Sequence, residues 1–173
     1  MMKKSKLIAL SAIATAFGVI FLALGAFLPI FDYSGIFIAS VCMTLPLTKK
    51  SVWAGVMSYL ATALLSLMFV GGRFEITVSF ALFFGLHPVV NYVFEKRGLN
   101  KIIAFAIKDV WFILSLLFLY YFFEEFVGFD VEILKKYAVL VLTVGGGLLF
   151  AFYDFAMLRF QRFANYAVER LKL

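Results

Sequence analysis

The stretch "LIALSAIATAFGVIFLALGAFL", residues 7–28, decides the class of fold. It is an apolar run of 22 residues, and a helix needs about 20 such residues to cross the hydrocarbon core of a bilayer. The basic start "MMKKSK" is also typical of a signal peptide, but the apolar core of a signal peptide has only about 7–15 residues. We therefore expect a retained first transmembrane helix.

The composition of the whole chain also indicates a membrane protein. Of its 173 residues, 65% are hydrophobic and 15% are charged, whereas soluble domains are about half apolar and about a quarter charged. We expect an all-α integral membrane protein of the cell membrane, with one transmembrane domain over residues 1–173. The net charge of +6 does not indicate nucleic-acid binding, because the basic residues lie between apolar segments and not on one face.

Charged residues, glycines and prolines divide the chain into six apolar segments. The predicted helices are about 7–28, 35–47, 51–70, 75–94, 102–123 and 137–159. The second has about 13 residues and would span the bilayer only by thinning it or by being shielded by neighbours. A re-entrant hairpin is the alternative, and we favour the spanning helix. Ser51 is predicted to cap the third helix.

The distribution of basic residues predicts the orientation. Six spans put both termini on one side, and that side holds 13 of the 16 Lys and Arg residues. Because Lys and Arg accumulate in cytoplasmic loops, we expect a six-helix bundle with its N and C termini in the cytoplasm. The predicted outer loops, at 29–35, 70–77 and 120–130 with their flanks, are instead acidic, with Asp32, Glu75, Glu124, Glu125, Asp130 and Glu132.

Polar residues inside a membrane are costly and are therefore functional candidates. His87, Asn91 and Glu95 are spaced four apart beside Pro88, so they form one seam on a helix that the proline is expected to kink. This seam indicates either a ligand contact or proton relay, or hydrogen bonding between helices at the kink. We favour the second interpretation.

Two acidic residues fall near the predicted cytoplasmic helix ends, Asp109 in the fifth helix and Asp154 in the sixth. The simpler hypothesis is that both form ion pairs that join helix ends, and the alternative is contact with a cytoplasmic partner or gating of release. With one histidine and the single cysteine Cys42 in the chain, no metal site is expected.

The predicted outer ends carry aromatic and charged side chains together with glycines that allow close backbone approach. Such groups suit a small polar or heteroaromatic ligand, although an interfacial aromatic belt also enriches Tyr. The triplet "GGG" (145–147) allows close helix contact or a local break beside a cavity. The candidate substrate-binding residues are Asp32, Tyr33, Arg73, Glu75, Tyr120 and Tyr121.

No catalytic motif is present. The sequence has no GxxxxGK[ST], GxSxG or HExxH, so it lacks the phosphate loop, the nucleophile turn and the zinc-helix pattern of common enzyme classes. We expect neither catalytic activity nor a cofactor.

The first helix has small residues on two faces. Ala9, Ala12 and Ala16 fall on one side at 100° per residue, with Ala14 and Gly18 nearly opposite. Small residues four apart allow membrane helices to come close together. Either both faces pack inside the bundle, or one of them docks another subunit. We predict docking on the face formed by Ala9, Ala12 and Ala16.

In this layout the chain resembles the substrate-binding S-component of an energy-coupling factor transporter. Ala12 and Ala16 match the AxxxA pattern in the first helix of that family. The resemblance implies docking onto a membrane scaffold subunit that carries two ATPases, and capture of a vitamin or similar micronutrient near the outer surface. It also implies that residues 29–35 act as a lid. The alternative from another class is a cell-envelope scaffold similar to MreD, which needs no pocket.

Overall fold

The computed structural model describes residues 2–123, 132 and 136–170, and within these ranges the chain is helical without a strand. The predicted acidic residues Glu124, Glu125 and Asp130 lie outside the described residues. Five described helical segments are long and apolar enough to cross a membrane, so the structure is that of a helical membrane protein. They are Lys4–Phe27, Pro29–Leu47, Phe74–Lys96, Lys101–Phe122 and Ala138–Arg170.

The first helix, α1 (Met2–Phe27), buries one face through small residues. Leu10, Ala14, Gly18 and Leu22 are buried and spaced four apart, which places them on one side of the helix. A Cβ atom added at Gly18 would lie 2.8 Å from Cγ2 of Thr62. The absence of a side chain at this position therefore allows α1 to pack closely on its neighbour.

The second apolar segment begins at Pro29, not at residue 35 as predicted. A 3₁₀ turn, Pro29–Phe31, leads into α2 (Asp32–Cys42) and α3 (Thr44–Leu47). A proline at a first helical position has the right φ, and Asp32 places an acidic group in the first turn. The segment has 19 residues, so it is long enough to span. The expected outer loop at 29–35 is therefore helical.

The third apolar segment, and not the second as predicted, is the shortest. Helix α4 (Val52–Ser66) has 15 residues and begins at the predicted cap, where Oγ of Ser51 accepts the N–H of Ala54 at 3.2 Å. It ends four residues before the predicted residue 70. The following turn contains Gly71 and Gly72 with φ of +59° and +93°, values that favour glycine.

The fourth segment is interrupted in its middle. It consists of α5 (Phe74–Ser79), a π turn (Phe80–Phe84) and α6 (His87–Lys96). In the π turn the N–H of Gly85 donates to the carbonyl of Phe80 at 2.8 Å, five residues back. The carbonyl of Ala81 is thereby free to accept the hydroxyl of Tyr59, at 2.7 Å.

Pro88 leaves a second carbonyl, that of Phe84, without a hydrogen-bond donor in its own helix. In a regular helix the carbonyl of Phe84 would accept the N–H of residue 88, but proline has none. Oγ of Ser40 donates to this carbonyl at 2.5 Å instead. The irregularity predicted at Pro88 therefore provides a hydrogen-bonded connection between α2 and the fourth segment.

The last two helices pack against each other. Helix α7 (Lys101–Phe122) is capped by Asn100, whose Oδ1 accepts the N–H of Ile102 at 2.9 Å. Helix α8 (Ala138–Arg170) continues well beyond the predicted end at 159. Its extension buries Gln161, Ala164 and Val168, whose spacing of three and four keeps them on one face.

The bundle has two distinguishable ends. Lys4 and Lys6 of α1 lie against the turn at 48–50, and α8 also contacts α3. We call this the termini end. The opposite end, called the far end, contains the junctions between α1 and α2 and between α4 and α5.

We predict that Gly35→Ala destabilises the protein. A Cβ atom at residue 35 would lie 2.5 Å from the carbonyl oxygen of Phe21, and overpacking of this kind costs about 1–3 kcal/mol. Denaturant titration in mixed micelles measures the change in the free energy of unfolding. Gly145→Ala is the matched control, because a Cβ there has no neighbour within 4 Å. Equal stability of the two variants would contradict the close α1–α2 contact.

Candidate functional site

Three of the predicted ligand residues form an ion-pair cluster at the far end. The guanidinium of Arg73 donates to both carboxylate oxygens of Asp32, at 2.7 and 2.9 Å, and to Glu75 at 2.9 Å. These hydrogen bonds, with Asp32 contributing most, raise the pKa of Arg73 above its ordinary value. The cluster joins the start of α2 to the start of α5 and contains one positive and two negative charges.

The aromatic candidates are divided between two places. Tyr33 lines a cavity of about 630 Å³ between α2, the fourth segment, α7 and α8. Tyr120 and Tyr121 line a separate groove with Lys136 and Tyr137. The six predicted residues therefore do not form one site, and only Tyr33 lines the large cavity.

The cavity extends from the far end toward the middle of the bundle. Among its described lining residues most are aliphatic or aromatic, and hydroxyls come from Tyr33, Ser79 and Tyr153. Most of this lining is not predicted by the sequence, because apolar residues that face a cavity cannot be told from those that face lipid. The lining residues are Tyr33, Ile36, Phe37, Ser79, Phe84, Phe112, Leu116, Leu119, Val141, Leu142, Gly145, Gly146, Leu149 and Tyr153.

Two residues of the glycine triplet have different roles. A Cβ atom at Gly146 would lie 2.9 Å from Cδ1 of Leu116, so this glycine allows α8 to approach α7. A Cβ atom at Gly145 would meet nothing within 4 Å, although Gly145 lines the cavity. Gly146 therefore serves helix packing, as small residues do in membranes, and Gly145 leaves space in the cavity.

Tyr153 lies at the inner limit of the cavity and is held by hydrogen bonds. Its hydroxyl is 2.7 Å from Oγ of Ser40. Oγ of Ser40 donates to the carbonyl of Phe84 at 2.5 Å, and the Tyr153 hydroxyl lies 3.4 Å from the same carbonyl. With Ser40 donating to Phe84, the hydroxyl of Tyr153 donates to Ser40. The ring of Tyr153 also lies 4.8 Å from that of His87, measured between centroids.

A buried charged cluster lies next to the cavity, formed by His87, Asn91, Lys108 and Asp154. Nζ of Lys108 donates to Oδ1 of Asp154 at 2.5 Å and to Oδ1 of Asn91 at 2.6 Å. Nε2 of His87 is 3.0 Å from the same Asp154 oxygen, and Nδ2 of Asn91 donates to it at 3.3 Å. The cluster joins α6, α7 and α8 and pairs one positive with one negative charge.

Three of the four intramembrane polar residues predicted from the sequence lie together in this cluster, namely His87, Asn91 and Asp154. The sequence prediction did not include Lys108 in this cluster. Its position inside the apolar run of α7 was the one feature that marked it as an intramembrane charge. Asp109 lies elsewhere, with a carboxylate oxygen 3.6 Å from the position of a Cβ at Gly147. No group of three His, Cys, Asp or Glu side chains suited to a metal occurs in the described part of the chain.

The two small faces of α1 differ in exposure. Ala14 and Gly18 are buried in the bundle, whereas Ala9, Ala12 and Ala16 are exposed. The exposed face borders a shallow groove between α1 and α4, to which α4 contributes Ala54, Met57, Ser58, Ala61 and Leu65. The predicted docking residues are accessible, and docking itself stays a prediction.

No family model matches the chain, and no curated protein and no solved structure matches it either. Inference about function therefore depends on the residues described above.

We predict that the charged cluster is coupled. Lys108→Met leaves the buried carboxylate of Asp154 without its cation, and loss of one partner of a buried pair costs about 3–5 kcal/mol. The double variant Lys108→Met/Asp154→Leu removes both charges and should recover most of that loss. Unfolding free energies of the two single variants and the double variant measure the coupling.

Lys101→Met is the matched control for this cycle, because Lys101 is exposed at the start of the same helix. It should change stability by less than about 0.5 kcal/mol. Additive effects in the double variant would show that Lys108 and Asp154 do not interact.

Proposed function

We propose that this protein is the solute-binding membrane subunit of an importer that resembles the energy-coupling factor transporters. It would capture a vitamin or similar small nutrient at the outer face of the cell membrane. The observation that carries this proposal is the cavity of about 630 Å³, because its volume falls in the range of small-molecule sites. A cell-envelope scaffold needs no such cavity.

The proposed topology has six spans with both termini in the cytoplasm. Twelve of the 16 basic residues then lie on the cytoplasmic side, as expected for short loops, and Lys108 lies in the buried cluster. Helix α4, at 15 residues, is shorter than the roughly 20 residues needed for a span. Local thinning of the bilayer accommodates such a helix at a modest cost. The far end, with the cavity, is then the outer end.

The proposed partner is a membrane scaffold subunit with two ATPases. The chain has no phosphate loop of its own, so ATP hydrolysis would come from those partners. The exposed face of Ala9, Ala12 and Ala16 and the neighbouring Ala54 and Ala61 allow another helix to approach closely. This face lies toward the termini end, on the cytoplasmic half, where cytoplasmic ATPases would act.

We predict that Ala12→Trp combined with Ala16→Trp blocks assembly. Two indole rings on this face would hold a partner helix away, since close approach requires small residues. Co-purification of partner subunits from the native membrane, quantified by mass spectrometry, should fall at least about tenfold. Uptake in cells should fall in parallel.

Leu114→Trp provides the control, because Leu114 is 60% exposed on α7, away from this face. It should leave co-purification unchanged. Normal assembly and uptake in the Ala12/Ala16 variant, together with no small molecule retained by the wild-type protein in native mass spectrometry, would overturn the proposed function.

A further inference from the structure

We propose that the cavity binds an uncharged, mainly apolar molecule that carries a hydroxyl or N–H donor. This inference rests on the proposed function of the cavity as a solute site. It adds the chemical class of the solute, which the resemblance alone leaves open. Three observations carry it: the uncharged lining, the internal pairing of the nearby charges, and the direction of two hydrogen bonds.

The lining carries no charge among its described residues. It consists of aliphatic and aromatic side chains, two glycines, and the hydroxyls of Tyr33, Ser79 and Tyr153. An ionised ligand in such a cavity would lose its hydration without gaining a counter-charge, which is strongly unfavourable. A neutral apolar ligand instead gains free energy from every apolar surface it buries.

Two charged clusters that flank the cavity have their charges paired within the protein. Arg73 donates to both oxygens of Asp32 and to Glu75. Lys108 donates to Asp154 and to an amide oxygen. A charged ligand that took Arg73, Lys108 or Asp154 as its counter-charge would have to break an existing pair, at a large cost. These clusters therefore do not make the cavity a site for ions.

Two of the lining hydroxyls already donate a hydrogen bond to a group of the protein. Oγ of Ser79 donates to the carbonyl of Glu75 at 2.7 Å. The hydroxyl of Tyr153 lies 2.7 Å from Oγ of Ser40 and 3.4 Å from the carbonyl of Phe84, and both of these groups can accept its O–H. A hydroxyl has one proton and two lone pairs, so Ser79 and Tyr153 can only accept from a ligand. A ligand that forms a hydrogen bond with Ser79 or Tyr153 must therefore supply the donor.

Four photoreactive benzophenones that differ in one substituent test this inference on the full-length protein in detergent. The substituents are hydroxymethyl (a neutral donor), methoxymethyl (neutral without a donor), carboxylate (an anion) and aminomethyl (a cation). Mass spectrometry of cross-linked peptides separates labelling of the cavity residues Leu116 and Leu142 from labelling of exposed positions. Half-saturating probe concentrations give relative affinities.

We expect the hydroxymethyl probe to label the cavity best. Its advantage over the methoxymethyl probe should be about 2- to 10-fold, as for one net hydrogen bond. Its advantage over both charged probes should exceed about 10-fold, because those bury an unpaired charge. Tyr153→Phe should reduce the difference in affinity between the hydroxymethyl and methoxymethyl probes. Labelling by the methoxymethyl probe should stay nearly unchanged.

Gly145→Phe should abolish cavity labelling, since its side chain enters open space in the cavity. Leu148→Phe is the matched control on the same helix, at a position that is 64% exposed, and it should label as wild type. Equal or stronger cavity labelling by a charged probe, or no cavity labelling by either neutral probe, overturns the inference. Because labelling uses the isolated protein, these outcomes are independent of partner assembly, which tests the proposed function.

Discussion

The carbonyl of Phe84 is the point on which the middle of this structure depends. Pro88 removes the N–H that this carbonyl would otherwise accept, and no water is present in a bilayer core to replace it. Ser40 supplies the missing donor and Tyr153 donates to Ser40. One proline therefore fixes the positions of α2 and α8 against the fourth segment. The same hydrogen bonds orient the hydroxyl at the inner limit of the cavity.

The neighbouring residues Tyr153 and Asp154 separate two environments on one helix. Tyr153 lines an uncharged cavity, while Asp154 holds the buried cluster with Lys108 and His87. The charges are thus kept together beside the cavity and do not enter its wall. This division joins α6, α7 and α8 firmly and leaves the cavity suited to neutral molecules.

The sequence predicts the long apolar helices well, because their length requires no knowledge of neighbours. Residues 29–34 are predicted as a loop but are helical, because a proline that starts a helix looks the same in sequence as one that ends a helix. The pairing of Lys108 with Asp154 joins residues 46 apart, and that of Arg73 with Asp32 joins residues 41 apart. Single-sequence patterns give no information about such partners, nor about which apolar residues line a cavity.

The separation of Lys108 and Asp154 also has a consequence for biogenesis. Synthesis proceeds at about 5–20 residues per second, so the 46 residues from 109 to 154 take roughly 2–9 s to make. During that interval Lys108 lacks the carboxylate of Asp154, and Asn91 of the earlier α6 is the partner already made. Asp154 supplies the counter-charge once α8 is made, which favours the association of α7 with α8 in the bilayer.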